Sequence, residues 1–147
     1  LIGALPNRPQ QLDRIPFQDL IAQADYLSLH CPLTEDTRDL IDAEVLDAMK
    51  PSAFLINCAR GGIVNEQALV DALKRGKIAG AATDVLSVEP PKQGNVLIDA
   101  LNNDEIQNLI ITPHSAWGSR DARQRIVDQM LENLKAFQQG TPIRQVN

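Results

Sequence analysis

The feature that most constrains this chain is Ala53-Phe54-Leu55-Ile56-Asn57, a run that is apolar until its last residue and too short for a helix. A strand with one wet face alternates apolar and polar residues. A run of this kind suits a strand covered on both faces, as in a parallel sheet. Tyr26-Leu27-Ser28-Leu29-His30, Ile78 to Val85 and Leu109-Ile110-Ile111-Thr112 read as further strands. Leu1 to Leu5 reads as the end of an earlier one.

Helical spacing fills the gaps. After a polar loop over Asn7 to Arg14, Pro16 can open a helix at its first position, with Phe17, Leu20, Ile21 and Ala24 on one face. Asp42 can cap a helix running through Met49, and Pro51 stops it. Asn65 can cap another carrying Ala68, Leu69, Ala72 and Leu73, and Gly76 is placed to end it in a left-handed conformation. Pro90, Pro91 and Gly94 mark a loop before a short helix over Val96 to Leu101. Ser119 caps the longest helix, striped by Ile126, Val127, Met130, Leu131, Leu134 and Phe137, and Gly140 and Pro142 end it. Strands alternating with helices over short connections predict an α/β fold, a doubly wound parallel sheet with no domain boundary inside the chain. The last helix either docks elsewhere by its long stripe or covers the same sheet.

Composition removes several function classes. Acidic residues outnumber basic ones 19 to 14, a net charge of −5. Nucleic-acid binding needs a clustered positive surface, so none is expected. No run approaches the about 18 apolar residues that span a bilayer, so no membrane partner is expected either. The start has neither the pattern of a signal peptide nor a methionine, and is expected to lie inside a longer protein. Two cysteines, Cys31 and Cys58, are too few for a disulfide scaffold and point to the cytoplasm. No CxxC or HxxxH spacing accompanies them, so no metal site is expected.

In open parallel sheets, ligands bind beyond the carboxyl ends of the strands. That rule collects His30 to Leu33, then Asn57-Cys58-Ala59-Arg60-Gly61-Gly62, then Thr83-Asp84-Val85 with Glu89, then Thr112-Pro113-His114 through Gly118. Arg60 carries a planar fork of donors suited to a carboxylate. His114 can donate or accept a proton near neutrality, and Glu89 beside it would favour the imidazolium. Such a set suits a 2-oxo acid. Each residue also has an ordinary explanation: Arg60 as a surface ion-pair partner, Glu89 and His114 as loop residues, His30 and Trp117 as packing residues. The pattern alone stops at an α/β domain with an acid–base site.

Three stretches carry a resemblance. They are Ala24 to Thr34 through His30-Cys31-Pro32-Leu33-Thr34, Leu55 to Asp84 through Asn57-Cys58-Ala59-Arg60-Gly61-Gly62, and Glu89-Pro90-Pro91 with Thr112-Pro113-His114. They resemble the D-2-hydroxyacid dehydrogenases, and within them the hydroxypyruvate reductases and glycerate dehydrogenases. The resemblance implies a Rossmann-like nucleotide domain binding NAD or NADP. It implies that Arg60 binds substrate carboxylate and carbonyl, that His114 is the proton donor in reduction, and that Glu89 is its partner. Asp84 would contact the nicotinamide carboxamide. Cys31, Pro32, Thr37, Cys58 and Ala59 would line the cofactor, and His114 to Gly118 would close its nicotinamide side. A homodimer is implied for the intact protein.

Two departures stand out. The glycine-rich GxGxxG loop is absent, as is most of a substrate domain, so the chain reads as the C-terminal half of such an enzyme and is expected to be inactive alone. The last helix, about 119–138, would then dock on the missing substrate domain. Leu5 also stands where NAD-using relatives often carry an aspartate, and Arg8 lies just beyond. That substitution favours NADP. Two other readings share the fold: a nucleotide-sensing co-repressor scaffold and a phosphite-type dehydrogenase. A formate dehydrogenase is disfavoured, since a glutamine is expected where Glu89 stands.

Overall fold

The computed structural model describes Gly3, Leu5 and residues 14–146. The chain divides into two compact units, Leu1–His114 and Ser115–Asn147. The first contains α1 (Phe17–Gln23), β1 (Tyr26–Leu29), a 3-10 turn (Glu35–Thr37), α2 (Ala43–Ala48), β2 (Phe54–Asn57), α3 (Glu66–Lys74), β3 (Gly80–Thr83), α4 (Val96–Asn102) and β4 (Leu109–Ile111). The four strands form one parallel sheet in the order β1-β2-β3-β4. An open parallel sheet stepping steadily in one direction, with helical crossovers, is Rossmann-like.

The helices start where the sequence supplies acceptors. Asp42 accepts from the Val45 N–H at 2.9 Å and Asn65 from the Ala68 N–H at 2.9 Å. Each cap contributes about 1 kcal/mol. Gly76 leaves α3 with φ +64° as expected. Pro16, expected at the first helical position of α1, is instead its N-cap, with extended ψ of 144°. The 3-10 turn was not foreseen; it rests on a Thr34–Thr37 capping box.

Strand alternation decides the core. Leu27, Leu29, Leu55, Ala81 and Leu109 are buried together with Leu46, Ile63, Leu69, Leu73, Ile78 and Leu97. The alternate positions behave otherwise: Tyr26 is 71%, Phe54 40% and Ile110 65% exposed. The Tyr26 and Phe54 rings stack there with centroids 5.7 Å apart. The expectation that β2 is covered on both faces is therefore corrected among the described residues. Apolar content favours burial but does not say which element covers the second face.

The strands are shorter than expected, because His30, Ile78, Val85 and Thr112 lie where the chain leaves the ladder. Of the expected first strand, only Gly3 and Leu5 are described, and Gly3 forms an isolated parallel bridge with Ile15. The rest of it lies outside the described residues, as does Arg8.

The second unit holds α5 (Arg120–Gln138), capped by Ser119 Oγ, which accepts from the Ala122 N–H at 3.2 Å. Its stripe of Ile126, Val127, Met130, Leu131, Leu134 and Phe137 is exposed throughout. Among the described residues, no helix is long and apolar enough to cross a membrane, and no cluster of His, Cys, Asp or Glu could hold a metal ion.

Candidate active site

Register places the chemistry. Leu29 pairs with Asn57, Asn57 with Thr83, and Thr83 with Ile111, so the four strands end along one edge. The residues that follow each strand emerge on that edge together.

After β2, the buried Asn57 side chain folds the turn. Its Oδ1 accepts from the Ala59 N–H at 3.1 Å and its Nδ2 donates to the Arg60 carbonyl at 3.0 Å. The exposed Arg60 guanidinium donates back to the Ala59 carbonyl at 2.7 Å. Gly61 follows because nothing larger fits. A Cβ there would stand 1.8 Å from the Leu86 carbonyl oxygen and 2.6 Å from the Ser87 nitrogen.

After β3 and β4, the expected acid–histidine pair forms. Glu89 Oε2 lies 2.6 Å from His114 Nδ1, and Glu89 Oε1 accepts from the Leu86 N–H at 2.8 Å. Burial pushes the Glu89 carboxyl up, as does the Asp84 charge. The Leu86 N–H and His114 outweigh both and hold it below the ordinary carboxylate value. His114 has φ +51°, a left-handed conformation uncommon for any residue but glycine. Such a residue costs on the order of 1–3 kcal/mol and persists only where its surroundings fix it. Here its N–H donates to the Asp84 carbonyl at 2.9 Å and to the Thr112 carbonyl at 3.0 Å. The buried Asp84 carboxylate accepts from Thr112 Oγ1. Backbone and side chain of Asp84 thus both brace the His114 turn.

The remaining predicted residues gather less completely. His30, Cys31, Pro32, Leu33, Cys58, Ala59 and Arg60 line one cleft at the ends of β1 and β2. Glu89 and His114 line another, with Pro90, Pro91, Thr112 and Ile98. Arg60 is therefore on the same edge as the acid–histidine pair but in a neighbouring cleft. Burial pushes the Cys31 thiol up, partly offset by a backbone hydrogen bond. Thr37 is buried, and its hydroxyl donates to the Pro32 carbonyl at 2.7 Å while accepting from the Thr34 N–H at 2.8 Å. Its visible work is to shape the loop that follows β1. Gly118 belongs to the second unit, where its N–H donates to the Ser115 carbonyl at 2.8 Å.

Sequence reasoning did not assign Asn57 or Thr112 a role in the site. A buried-strand run ending in Asn just before Arg60 was a readable signal. Nothing local marks Thr112, whose partner lies 28 residues away.

An open parallel sheet with an acid–histidine pair beyond its strand ends is a Rossmann-like α/β domain carrying a candidate acid–base site on the edge where such sheets bind ligands. The comparisons make this specific. Residues 6–116 match the family model for the NAD binding domain of D-isomer specific 2-hydroxyacid dehydrogenases, and the chain belongs to that family. It is 50% identical over 128 residues to a glycerate dehydrogenase of Methylorubrum extorquens, covering 87% of this chain and 40% of that protein. It is 39% identical over 133 residues to a hydroxypyruvate reductase of Blautia hydrogenotrophica, covering 90% of this chain and 39% of the relative. A crystal structure of a D-isomer specific 2-hydroxyacid dehydrogenase from Lactobacillus delbrueckii ssp. bulgaricus, in an NAD complexed form, superposes with a TM-score of 0.77 at 35% identity. That match covers 91% of this chain and 43% of that one. The chain thus spans about two fifths of the length of these relatives.

Proposed function

We propose that this chain is the nucleotide-binding and proton-transfer part of an enzyme that interconverts a small 2-oxo acid and its D-2-hydroxy acid, with hydroxypyruvate or glyoxylate as the substrate. The single observation that carries this reading is the Glu89–His114 contact beyond the strand ends.

The cleft over β1 and β2 fits one end of a dinucleotide. It is walled by the small or apolar Cys31, Pro32, Cys58 and Ala59, with a cation at its rim. A bound NAD or NADP would supply or take up the hydride. The protein's own residues handle charge and protons. Arg60, released from the Ala59 carbonyl, offers its fork to the substrate carboxylate and carbonyl. Glu89 holds His114 Nδ1, so the proton passes through Nε2 to the carbonyl oxygen during reduction. Asp84 holds the turn and, in this reading, meets the nicotinamide carboxamide. Leu5 offers no carboxylate to repel a 2′-phosphate, which favours NADP, with Arg8 as its cation.

The exposed stripe of α5 docks, in this reading, on the substrate-binding part of the longer enzyme. The intact protein is then a cytoplasmic homodimer, and the isolated chain has no turnover.

The test follows oxidation of reduced cofactor by the full-length protein with hydroxypyruvate, running NADH and NADPH in parallel. Turnover that falls by about 10²–10⁴-fold in His114→Ala supports the assignment. Tight cofactor binding with no turnover of hydroxypyruvate or glyoxylate would overturn it.

A further inference from the structure

Glu66 opens α3, where an acid is favourable simply because it faces the positive end of the helix dipole. Its carboxylate does more than that. Oε1 accepts from the Ser87 N–H at 2.7 Å, and Oε2 accepts from Ser87 Oγ at 2.8 Å and from Asn95 Nδ2 at 2.8 Å. All three donors belong to the two ends of one loop, residues 87–95. Asn95 in turn caps α4, accepting from the Leu97 N–H at 3.0 Å. One carboxylate therefore ties together the start of α3, the start of the loop and the start of α4.

Glu89 sits inside that loop, two residues after Ser87. The Leu86–Ser87 peptide unit is held from two sides. Gly61 packs against its carbonyl, and Glu66 takes its N–H. The adjoining Leu86 N–H is the one that Glu89 Oε1 accepts. Fixing this peptide plane holds Leu86, whose own N–H, in the preceding peptide, meets Glu89; the other Glu89 oxygen meets His114.

We propose that Glu66 is a positioning residue: its carboxylate anchors the 87–95 loop and so sets where Glu89 meets His114. The consequence for catalysis rests on the proton-transfer reading above. The positioning itself is a property of this chain and is testable without turnover.

The experiment follows the Glu89 side-chain carboxyl by carbon NMR as a function of pH in the full-length protein, with the amide spectrum as a check on the fold. Glu89 faces two titratable groups, His114 and Asp84, both unchanged in every variant. Glu66→Gln keeps the reach but loses the second acceptor. Glu66→Asp keeps the charge at the helix start but is one methylene too short. Both are expected to raise the Glu89 midpoint, by about half a pH unit or more, as the Leu86 N–H loses its aim. Glu44→Gln, in the first turn of α2, leaves the midpoint unmoved. A midpoint unchanged in both Glu66 variants with the amide spectrum intact overturns the proposal, and so does a shift in Glu66→Gln that Glu66→Asp fully reverses, since that is the mark of the carboxylate charge alone and not of its reach. If Glu66→Gln unfolds the chain, Ser87→Ala decides. A raised midpoint supports the anchor, and an unmoved one overturns it. A raised midpoint in a protein whose full-length form turns over no 2-oxo acid would remove the dehydrogenase reading and leave the positioning standing.

Discussion

Glu89 Oε2 lies 2.6 Å from His114 Nδ1 although 25 positions separate the two residues. The contact is made because β3 and β4 are neighbours in register and the loops after both turn toward each other. It also gives Glu89 a pH signature. The carboxyl is held below its ordinary value in the fold, so it contributes stability above the unfolded-state pKa. That contribution is lost as pH falls through the folded value. Glu89→Gln should therefore be less stable than wild type near neutrality, with the gap closing as pH drops below the carboxylate range. The side chain is 33% exposed, so solvent screens the effect and it should be modest. Urea midpoints of both proteins across that range check the sign. A gap that widens on acidification would contradict it.

Asn57 should matter for Arg60 as well as for the fold. Replacing it with alanine removes two hydrogen bonds from a buried turn and leaves the Ala59 N–H and Arg60 carbonyl without their partner. The expected cost is about 1–3 kcal/mol in urea unfolding. If the proposed function holds, the loosened turn should raise the full-length protein's KM for the 2-oxo acid more than it lowers kcat.

Gly61 has no room to grow. A methyl group there would meet the Leu86 carbonyl oxygen at 1.8 Å, and that neighbour is backbone, not a yielding side chain. Gly61→Ala should destabilise the chain by about 1–3 kcal/mol or more, as overpacking does. It should also perturb the His114 ring signals, since the displaced peptide leads straight to Glu89.

The proposed preference for NADP is tested at Arg8. Arg8→Ala in the full-length protein should weaken NADPH while leaving NADH nearly unchanged, measured by direct titration of each. Equal losses for both cofactors would show that Arg8 does not recognise the 2′-phosphate.

Much of this was legible in the residues. The helix starts at Asp42, Asn65 and Ser119 and the stop at Gly76 follow from local chemistry, because a cap satisfies a neighbour a few positions away. The four parallel strands follow from short apolar runs separated by helical spacing. The candidate residues Arg60, Asp84, Glu89 and His114 were legible because ligands gather beyond parallel strand ends.

Other relationships were not local and could not be read along the chain. Which face of the sheet is covered was settled by packing, so Phe54 sits partly exposed in a run that looked wholly buried. The division of the edge into two clefts, with Arg60 in one and the acid–histidine pair in the other, depends on how separate loops fold back. Glu66 looks like any acid at a helix start. Only the fold brings Ser87 and Asn95, 21 and 29 residues on, within reach of its carboxylate. The sequence by itself determined the elements and the residue types at the strand ends, since those rest on contacts a few residues apart. The tertiary structure alone decided which of those side chains meet, since a hydrogen bond across 25 residues exists only once the sheet has fixed the ends of its strands.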